Sequence, residues 1–207
     1  NLTNTETWNG SAWTEVNEVN TAARHGGNFG GSTTGIKASG FIAPTNRNNT
    51  SVESWDGTNW TEVAEMNTAR QTSAGLGVSY TSGLIATGGQ PSPPAKTETW
   101  NGSAWTEVGD VNTARDRAAG GGTVTDGIIV AGEQTAVPNN NVAITEHWNG
   151  TSWTEIADIS TSRSAGGAGG TSTAGIFFGG TADGGSNNLG ATEEFTAATV
   201  FSQITEG

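Results

Sequence analysis

The sequence predicts an all-β protein built from a repeat, and three observations carry that prediction. The segment TETWNGSAWTEV at 5–16 returns from 52, 97 and 145, and these four copies contain all eight tryptophans. The first aromatics of the copies, continued by a worn fifth copy, follow at steps of 47, 45, 48 and 47 residues: Trp8, Trp55, Trp100, Trp148 and Phe195. Between the copies lie short apolar runs bounded by Gly, Asn, Ser and Thr, without helical periodicity. A regular step of this size indicates a repeat architecture, and such runs are typical of strands.

The composition has to be reconciled with folding, because only 32% of the residues are hydrophobic and 32 are glycine. Disordered chains are poor in large aromatics, whereas here tryptophan recurs at a fixed step. Each tryptophan buries roughly 150–250 Å² in a folded core. We therefore expect one folded object that runs through 1–207.

Four strands, named A to D, are predicted in each repeat. Strand A is the Gly- and Ala-rich piece near 71–79, and strand C carries the TETW segment. Strand D carries the second tryptophan, and the Asn-Gly or Asp-Gly between C and D predicts a tight hairpin. Strand B is the apolar run that ends in glycine, at 35–41, 83–89, 127–133 and 175–181.

The repeat resembles the kelch repeat, which has an Arg ahead of strand A, a glycine doublet after strand B, an aromatic in strand C and Trp in strand D. The second full repeat fills these slots with Arg70, Gly88–Gly89, Trp100 and Trp105, and the fourth with Arg163, Gly179–Gly180, Phe195 and Phe201. The chain departs from the family by having Trp where kelch repeats usually have Tyr. Its doublet is also degraded in the first and third repeats. The resemblance implies a β-propeller. The repeats are also similar to kelch-like repeats of phage and bacterial surface proteins.

The repeat predicts a single propeller domain of four full blades and one N-terminal C–D half blade. The bounds are 1–23 for the half blade and 24–69, 70–114, 115–162 and 163–207 for the blades. Three closures fit: a five-bladed ring with one incomplete blade, a segment of a larger propeller, or a four-bladed ring with a spare hairpin. Because the chain opens with Asn1, we expect processing or a longer parent chain.

The repeated charged residues are interpreted as struts. An arginine is assigned to one slot of every blade, at Arg24, Arg70, Arg115 and Arg163, and a glutamate lies two residues before each first aromatic, at Glu6, Glu53, Glu98, Glu146 and Glu193. We expect each glutamate to bind the arginine, since a buried guanidinium needs a carboxylate partner. Paired carboxylates could also hydrolyse glycosides, but an acid copied into every blade favours a structural role.

The tryptophans are interpreted in the same way. The second tryptophan of each copy lies in strand D, at Trp13, Trp60, Trp105 and Trp153. Exposed indole faces could stack on sugars, but the kelch resemblance implies that residues at these positions fill the space between blades. We expect packing rather than sugar binding.

Charge and composition narrow the possible partners. Eight Lys and Arg stand against 20 Asp and Glu, a net charge of −12, which disfavours nucleic acid and anionic membranes. The sequence has no cysteine and no run long enough to cross a membrane. No nucleophile, phosphate-loop or metal motif is present, so we expect no enzyme activity, no cofactor and no metal.

The B–C loops vary while the framework repeats, and binding residues often lie on variable loops of a rigid scaffold. Candidate ligand positions on them are Arg47, Asn48, Gln90, Lys96, Gln134, Asn140, Asp183 and Asn187. We expect a non-catalytic binding or structural module of a virion appendage or cell surface, with a protein or glycan partner and possible assembly with other surface proteins or itself. The alternative is a multivalent lectin with a sugar site in each blade.

Overall fold

The computed structural model describes residues 2–43, 47–89, 94–134, 140–182, 187–196 and 200–203. In these residues it contains strands and turns and no helix. Four antiparallel four-stranded sheets are arranged as a β-propeller, and a two-stranded hairpin precedes them. The predicted all-β propeller of four full blades and a half blade is therefore confirmed.

Each sheet follows chain order from strand A at the axis to strand D at the rim, with one interruption in the first blade. The half blade consists of β1 (Thr5–Trp8) and β2 (Trp13–Val16). Blade I consists of β3 (Gly27–Gly30), β4 (Gly35–Ala38), β7 (Val52–Trp55) and β8 (Trp60–Glu62); its B–C loop holds an extra ribbon of β5 (Phe41–Ile42) and β6 (Arg47–Asn48). Blade II consists of β9 (Ala74–Ser79), β10 (Ser82–Ala86), β11 (Thr97–Trp100) and β12 (Trp105–Val108). Blade III consists of β13 (Ala119–Gly122), β14 (Gly127–Val130), β15 (Thr145–Trp148) and β16 (Trp153–Ile156), and blade IV of β17 (Gly167–Gly170), β18 (Ala174–Phe178), β19 (Thr192–Thr196) and β20 (Val200–Gln203).

The C–D hairpins form as their turn chemistry predicts. In blade II, Oδ1 of Asn101 accepts hydrogen bonds from the amides of Ser103 at 3.0 Å and Ala104 at 2.9 Å. Gly102 follows with φ +94°, which glycine adopts readily and other residues do not. The turn sets Trp100 directly opposite Trp105, with ring centroids 5.3 Å apart.

The core lies between blades, where the inner strands pack unusually closely. Strands β3, β9, β13 and β17 contact one another in that order around the axis. A Cβ built on Gly75 would lie 2.2 Å from the carbonyl oxygen of Asn28 in the neighbouring blade, so the small residues of strand A are required by this approach. Among the described residues, β17 and β3 lack the close packing that the other neighbouring inner strands show.

The glycine pattern after strand B differs from the predicted doublet. By register, Gly179–Gly180 of blade IV align with Thr87–Gly88 of blade II, not with Gly88–Gly89. The glycine common to all four blades is Gly40, Gly88, Gly132 and Gly180, each with positive φ. In the first three blades its amide binds a carbonyl of the next blade, that of Arg70, Arg115 or Arg163. One glycine is thus required for an inter-blade contact, while the residue before it varies.

Candidate functional site

The arginine–glutamate struts form in blades II, III and IV, as predicted. Arg70 binds Glu98, Arg115 binds Glu146 at 2.5 Å and Arg163 binds Glu193 at 2.8 Å, and all these side chains are buried. Burial lowers the pKa of the three arginines, and the facing carboxylate opposes that shift. Each pair joins the entry of strand A to strand C within one blade.

The same carboxylates also hold the chain segment that leads into the blade. Oε2 of Glu146 accepts hydrogen bonds from the backbone and side-chain amides of Asn112, at 2.7 and 2.8 Å. Oε1 accepts from the amide of Thr113 at 3.2 Å and from Arg115 at 2.5 Å. Both oxygens are therefore used in structural contacts.

Arg24 does not occupy the slot that the spacing assigns to it, and this prediction was wrong. The backbone of Arg24 pairs with Phe41, and the corresponding pair in blade III is Asp116 with Glu133. Because Asp116 directly follows the strut arginine of its blade, Arg24 lies one position after the arginine slot. The cause is one extra alanine, because NTAAR at 20–24 replaces NTAR at 67–70. The exposed Arg24 guanidinium lies 4.9 Å from the ring of Phe41. Glu53 instead binds Lys37 at 3.2 Å.

Most tryptophans fill the space between blades, as expected. Trp100 and Trp105 pack with Phe29, Ile36 and Ala38 of blade I, and Trp148 and Trp153 pack with blade II. Trp55 is buried and Trp60 is half-buried. The exceptions are Trp8 and Trp13 of the half blade, which are 46% and 65% exposed. The side chain of Phe201 lies outside the described residues.

A row of three backbone hydrogen bonds, which no sequence pattern predicts, runs around the axis of the propeller. The amide of Thr72 binds the carbonyl of His25, that of Arg117 binds Thr72 at 2.9 Å, and that of Ala165 binds Arg117 at 3.0 Å. All four residues have φ between 52° and 60°. We call them the axial ring. In the sequence, these four residues share only their position, which is two residues after the slot of the strut arginine.

The axial ring opens into a shallow depression of about 180 Å³ on the face that carries the B–C loops. Arg117 binds Glu133 at 2.6 Å beside it. Asp116 is 1% exposed, and burial raises its pKa to about 6, since Arg117 opposes the desolvation only in part. The hydroxyl of Thr72 reaches its carboxylate at 3.3 Å. Arg117 therefore lines the depression, and the two acids beside it, Asp116 and Glu133, are buried.

The stems of the B–C loops are tied to this face. Asn49 binds the carbonyl of Gly40 through its side chain at 2.7 Å, and its own carbonyl accepts the amide of Arg70. Val142 accepts the amide of Arg163 in the same way. The B–C stems and the D–A connections therefore form one hydrogen-bonded layer, which we call the loop face.

The candidate ligand residues lie at different places on the loop face. Arg47 and Asn48 form β6, where Asn48 pairs with Phe41. Lys96 is ion-paired with Glu107 through its side chain, and its carbonyl accepts a 2.7 Å hydrogen bond from Arg70. The carbonyl of Asn140 accepts the amide of Gln134 at 3.1 Å, and that of Asn187 accepts the amide of Ala182 at 3.1 Å. Gln90 and Asp183 lie outside the described residues. The six described candidates are distributed over the B–C connections of all four blades.

Within the described ranges, no group of three or more His, Cys, Asp or Glu is placed to hold a metal ion. The same residues include no helix with the length and apolar character needed to cross a membrane. No protein-family model matches the chain, and no curated protein matches it.

Proposed function

We propose that the protein is a non-catalytic binding or structural module of a virion appendage or cell surface, which presents its loop face to a protein or glycan. One observation carries the proposal: the stems of loops that differ in sequence are tied into a common layer, as by Asn49 and Val142. A framework of this kind holds variable loops in a fixed arrangement, which is how binding scaffolds work.

The repeated acids support a module without catalysis. Glu98, Glu146 and Glu193 are buried and bound to arginine. A general acid or nucleophile has to reach its substrate, and these carboxylates are instead engaged in holding the blades. We further propose that the repeats are of the kelch type, on the evidence of the arginine, the shared glycine and the paired aromatics.

The alternative is a lectin with one sugar site in each blade. The buried pairs Trp100–Trp105 and Trp148–Trp153 offer no free ring face. In blades II and III, sugar sites would therefore have to be built from loop residues, which differ between blades. We rank the lectin second for this reason.

The test compares the two faces of the propeller in binding assays on a glycan array and on immobilised surface proteins. Replacing the exposed Asn187 and Asn188 with Ser alters the loop face, whereas Asn101→Ser alters a C–D turn on the opposite face. The proposed module loses binding with the first change and keeps it with the second. Binding that survives the loop replacement and disappears with the turn variant would contradict the proposal. A stoichiometry of four or five sugars per chain would favour the lectin.

A further inference from the structure

The half blade presents a strand edge with no partner. Strand β1 pairs with β2 and with no other strand among the described residues, whereas β7, β11, β15 and β19 each have a B strand on their inner side. The amide of Asn9 binds the carbonyl of Ala12, which fixes which residues of β1 form backbone hydrogen bonds with β2. By that alternation the backbone groups of Glu6 and Trp8 point away from β2 toward the open edge.

Side-chain groups of β1 are also left without the partners that their equivalents have. In blades II and III the indole nitrogens of Trp100 and Trp148 donate to carbonyls of the A–B turn, at 2.8 Å each. The Trp8 indole donates to none of the described residues. The carboxylate of Glu6 likewise binds no described residue, although the carboxylate of Glu146 in the same slot binds an arginine and two backbone amides.

Beside this edge lies a groove of about 420 Å³, which we call the half-blade groove. Its walls include β1, Trp13 and blade I residues such as Phe29 and Trp55. The hairpin itself is firmly placed on blade I: Trp60 donates to Oγ1 of Thr5 at 3.1 Å and Asn17 donates to the carbonyl of Thr58 at 2.8 Å. The groove is therefore bounded by a well-packed edge rather than by a loose hairpin.

We propose that the half-blade groove binds an A–B strand pair from outside residues 1–207, which adds to β1 as an antiparallel strand. The four A–B pairs of this sequence are held in their own blades, and those of a second copy would be held likewise. Addition of a strand to an open edge is an established mode of peptide recognition, in which the backbone gives affinity and side-chain pockets give specificity.

The register of the complete blades specifies the chemistry of this strand. Glycine faces the C-strand aromatic in every blade, as in the pairs Gly35–Trp55, Gly83–Trp100, Gly127–Trp148 and Gly175–Phe195. An aliphatic residue follows, then an apolar residue or Lys, and then Ala, Val or Phe. The ligand thus places glycine opposite Trp8 and an apolar residue or Lys opposite Glu6. An arginine ahead of its A strand would bind the Glu6 carboxylate, as Arg115 binds Glu146.

A synthetic peptide with the sequence of 67–89, NTARQTSAGLGVSYTSGLIATGG, is the probe. It contains no tryptophan, and Trp8 and Trp13 are the only exposed tryptophans of the eight in the protein, all of which are described. Acrylamide quenching of protein fluorescence therefore reports this site. We expect the peptide to protect Trp8 and Trp13 from quenching in a saturable way, and a scrambled peptide of the same composition to give no protection.

The role of Glu6 is tested by combining protein and peptide variants. Glu6→Gln should weaken binding about tenfold, because a charge-assisted hydrogen bond is lost, and it should have no effect on a peptide with alanine in place of arginine. Glu155→Gln, an exposed acid in the complete blade III, is the matched control and should leave binding unchanged.

Two results would overturn the proposal. One is equal protection by the scrambled peptide, or none by either. The other is protection that rises with protein concentration alone, which would assign the groove to a second copy of this chain. Because the readout depends on β1 and not on the loop face, failure here leaves the proposed function standing.

Discussion

The indole nitrogen of Trp153 donates a hydrogen bond of 3.0 Å to Oγ1 of Thr97, which lies in the preceding blade. Trp60 makes the equivalent contact with Thr5 at 3.1 Å. Trp105 binds the carbonyl of Ala64 instead, because valine replaces the threonine at position 52. The strand-D tryptophan therefore links neighbouring blades through its nitrogen as well as its ring.

Replacing Trp153 with Phe should lower the free energy of unfolding by about 1–3 kcal/mol, because the substitution leaves a buried hydroxyl without its donor and reduces the packed area. Urea unfolding followed by circular dichroism measures this. Trp13→Phe is the control, since Trp13 is exposed and its change should stay within about 0.5 kcal/mol. Equal effects of the two variants would contradict the assigned role.

The arginines should divide into two classes. Arg115→Ala leaves the buried Glu146 without its guanidinium and should cost about 3–5 kcal/mol. Arg24→Ala removes only an exposed contact with the ring of Phe41 and should cost about 0.5–1 kcal/mol. Thermal and urea unfolding of both variants give the comparison. A large loss for Arg24→Ala would mean that the extra alanine does not displace it from the strut.

Asp116 should make stability fall as pH rises. Its pKa is raised from 3.8 to about 6 by burial, so the folded protein binds more protons than the unfolded chain between these values. The contribution is therefore unfavourable above pH 6 and disappears below about pH 4. Relative to the wild type, the free energy of unfolding of Asp116→Asn should rise by about 1–3 kcal/mol as the pH increases from about 4 to about 6.

The measurement for Asp116 is urea unfolding of variant and wild type at several pH values. Asp56→Asn is the control with the opposite sign, because backbone hydrogen bonds from Asn59 and Thr58 lower the pKa of the exposed Asp56. The stability of Asp56→Asn relative to the wild type should become less favourable as pH rises toward about 4 and should stay constant between pH 4 and 6, because the lowered pKa lies below 3.8. A flat difference for Asp116→Asn would show that its carboxyl titrates normally.

Glycines in strand A should differ sharply in their tolerance of alanine. A methyl group on Gly75 would lie 2.2 Å from the Asn28 carbonyl oxygen, so Gly75→Ala should cost at least about 3 kcal/mol by separating the inner strands. Gly169 occupies strand A of blade IV with nothing within 4 Å of such a group. Gly169→Ala should change stability by less than about 1 kcal/mol, and in the favourable direction. Similar losses for both would mean that the close approach is not limiting.

The sequence predicts the blades because each depends on local chemistry repeated at a fixed step. The hairpin turn at Asn101 and the pairing of Arg115 with Glu146 are local or intra-blade features, and both form as expected. Register is harder to predict from the sequence, because one inserted residue changes which side chain occupies the next slot. The second alanine of NTAAR displaces Arg24 by one position, yet the spacing from Arg24 to Arg70 stays close to the repeat step.

The axial ring could not be predicted because its residues share a conformation and not a chemical type. His25, Thr72, Arg117 and Ala165 all have left-handed φ, a region that non-glycine residues seldom adopt. Tertiary hydrogen bonds between blades hold them there. The pKa of Asp116 likewise depends on burial produced by neighbouring blades, which no local pattern reveals.

The strut arginines have a consequence for the way the molecule comes apart. The guanidinium of Arg163 binds Glu193 within its own blade, while its carbonyl accepts the amide of Gly132 in the blade before. Loss of one blade therefore removes a contact from its neighbour, and unfolding spreads from blade to blade as in a linear array. The two ends, where Trp13 and Phe178 are exposed, have the fewest such neighbours. Under heat or mechanical pulling the propeller should unravel inward from these ends, and blades II and III should be the last to lose their protection from hydrogen exchange.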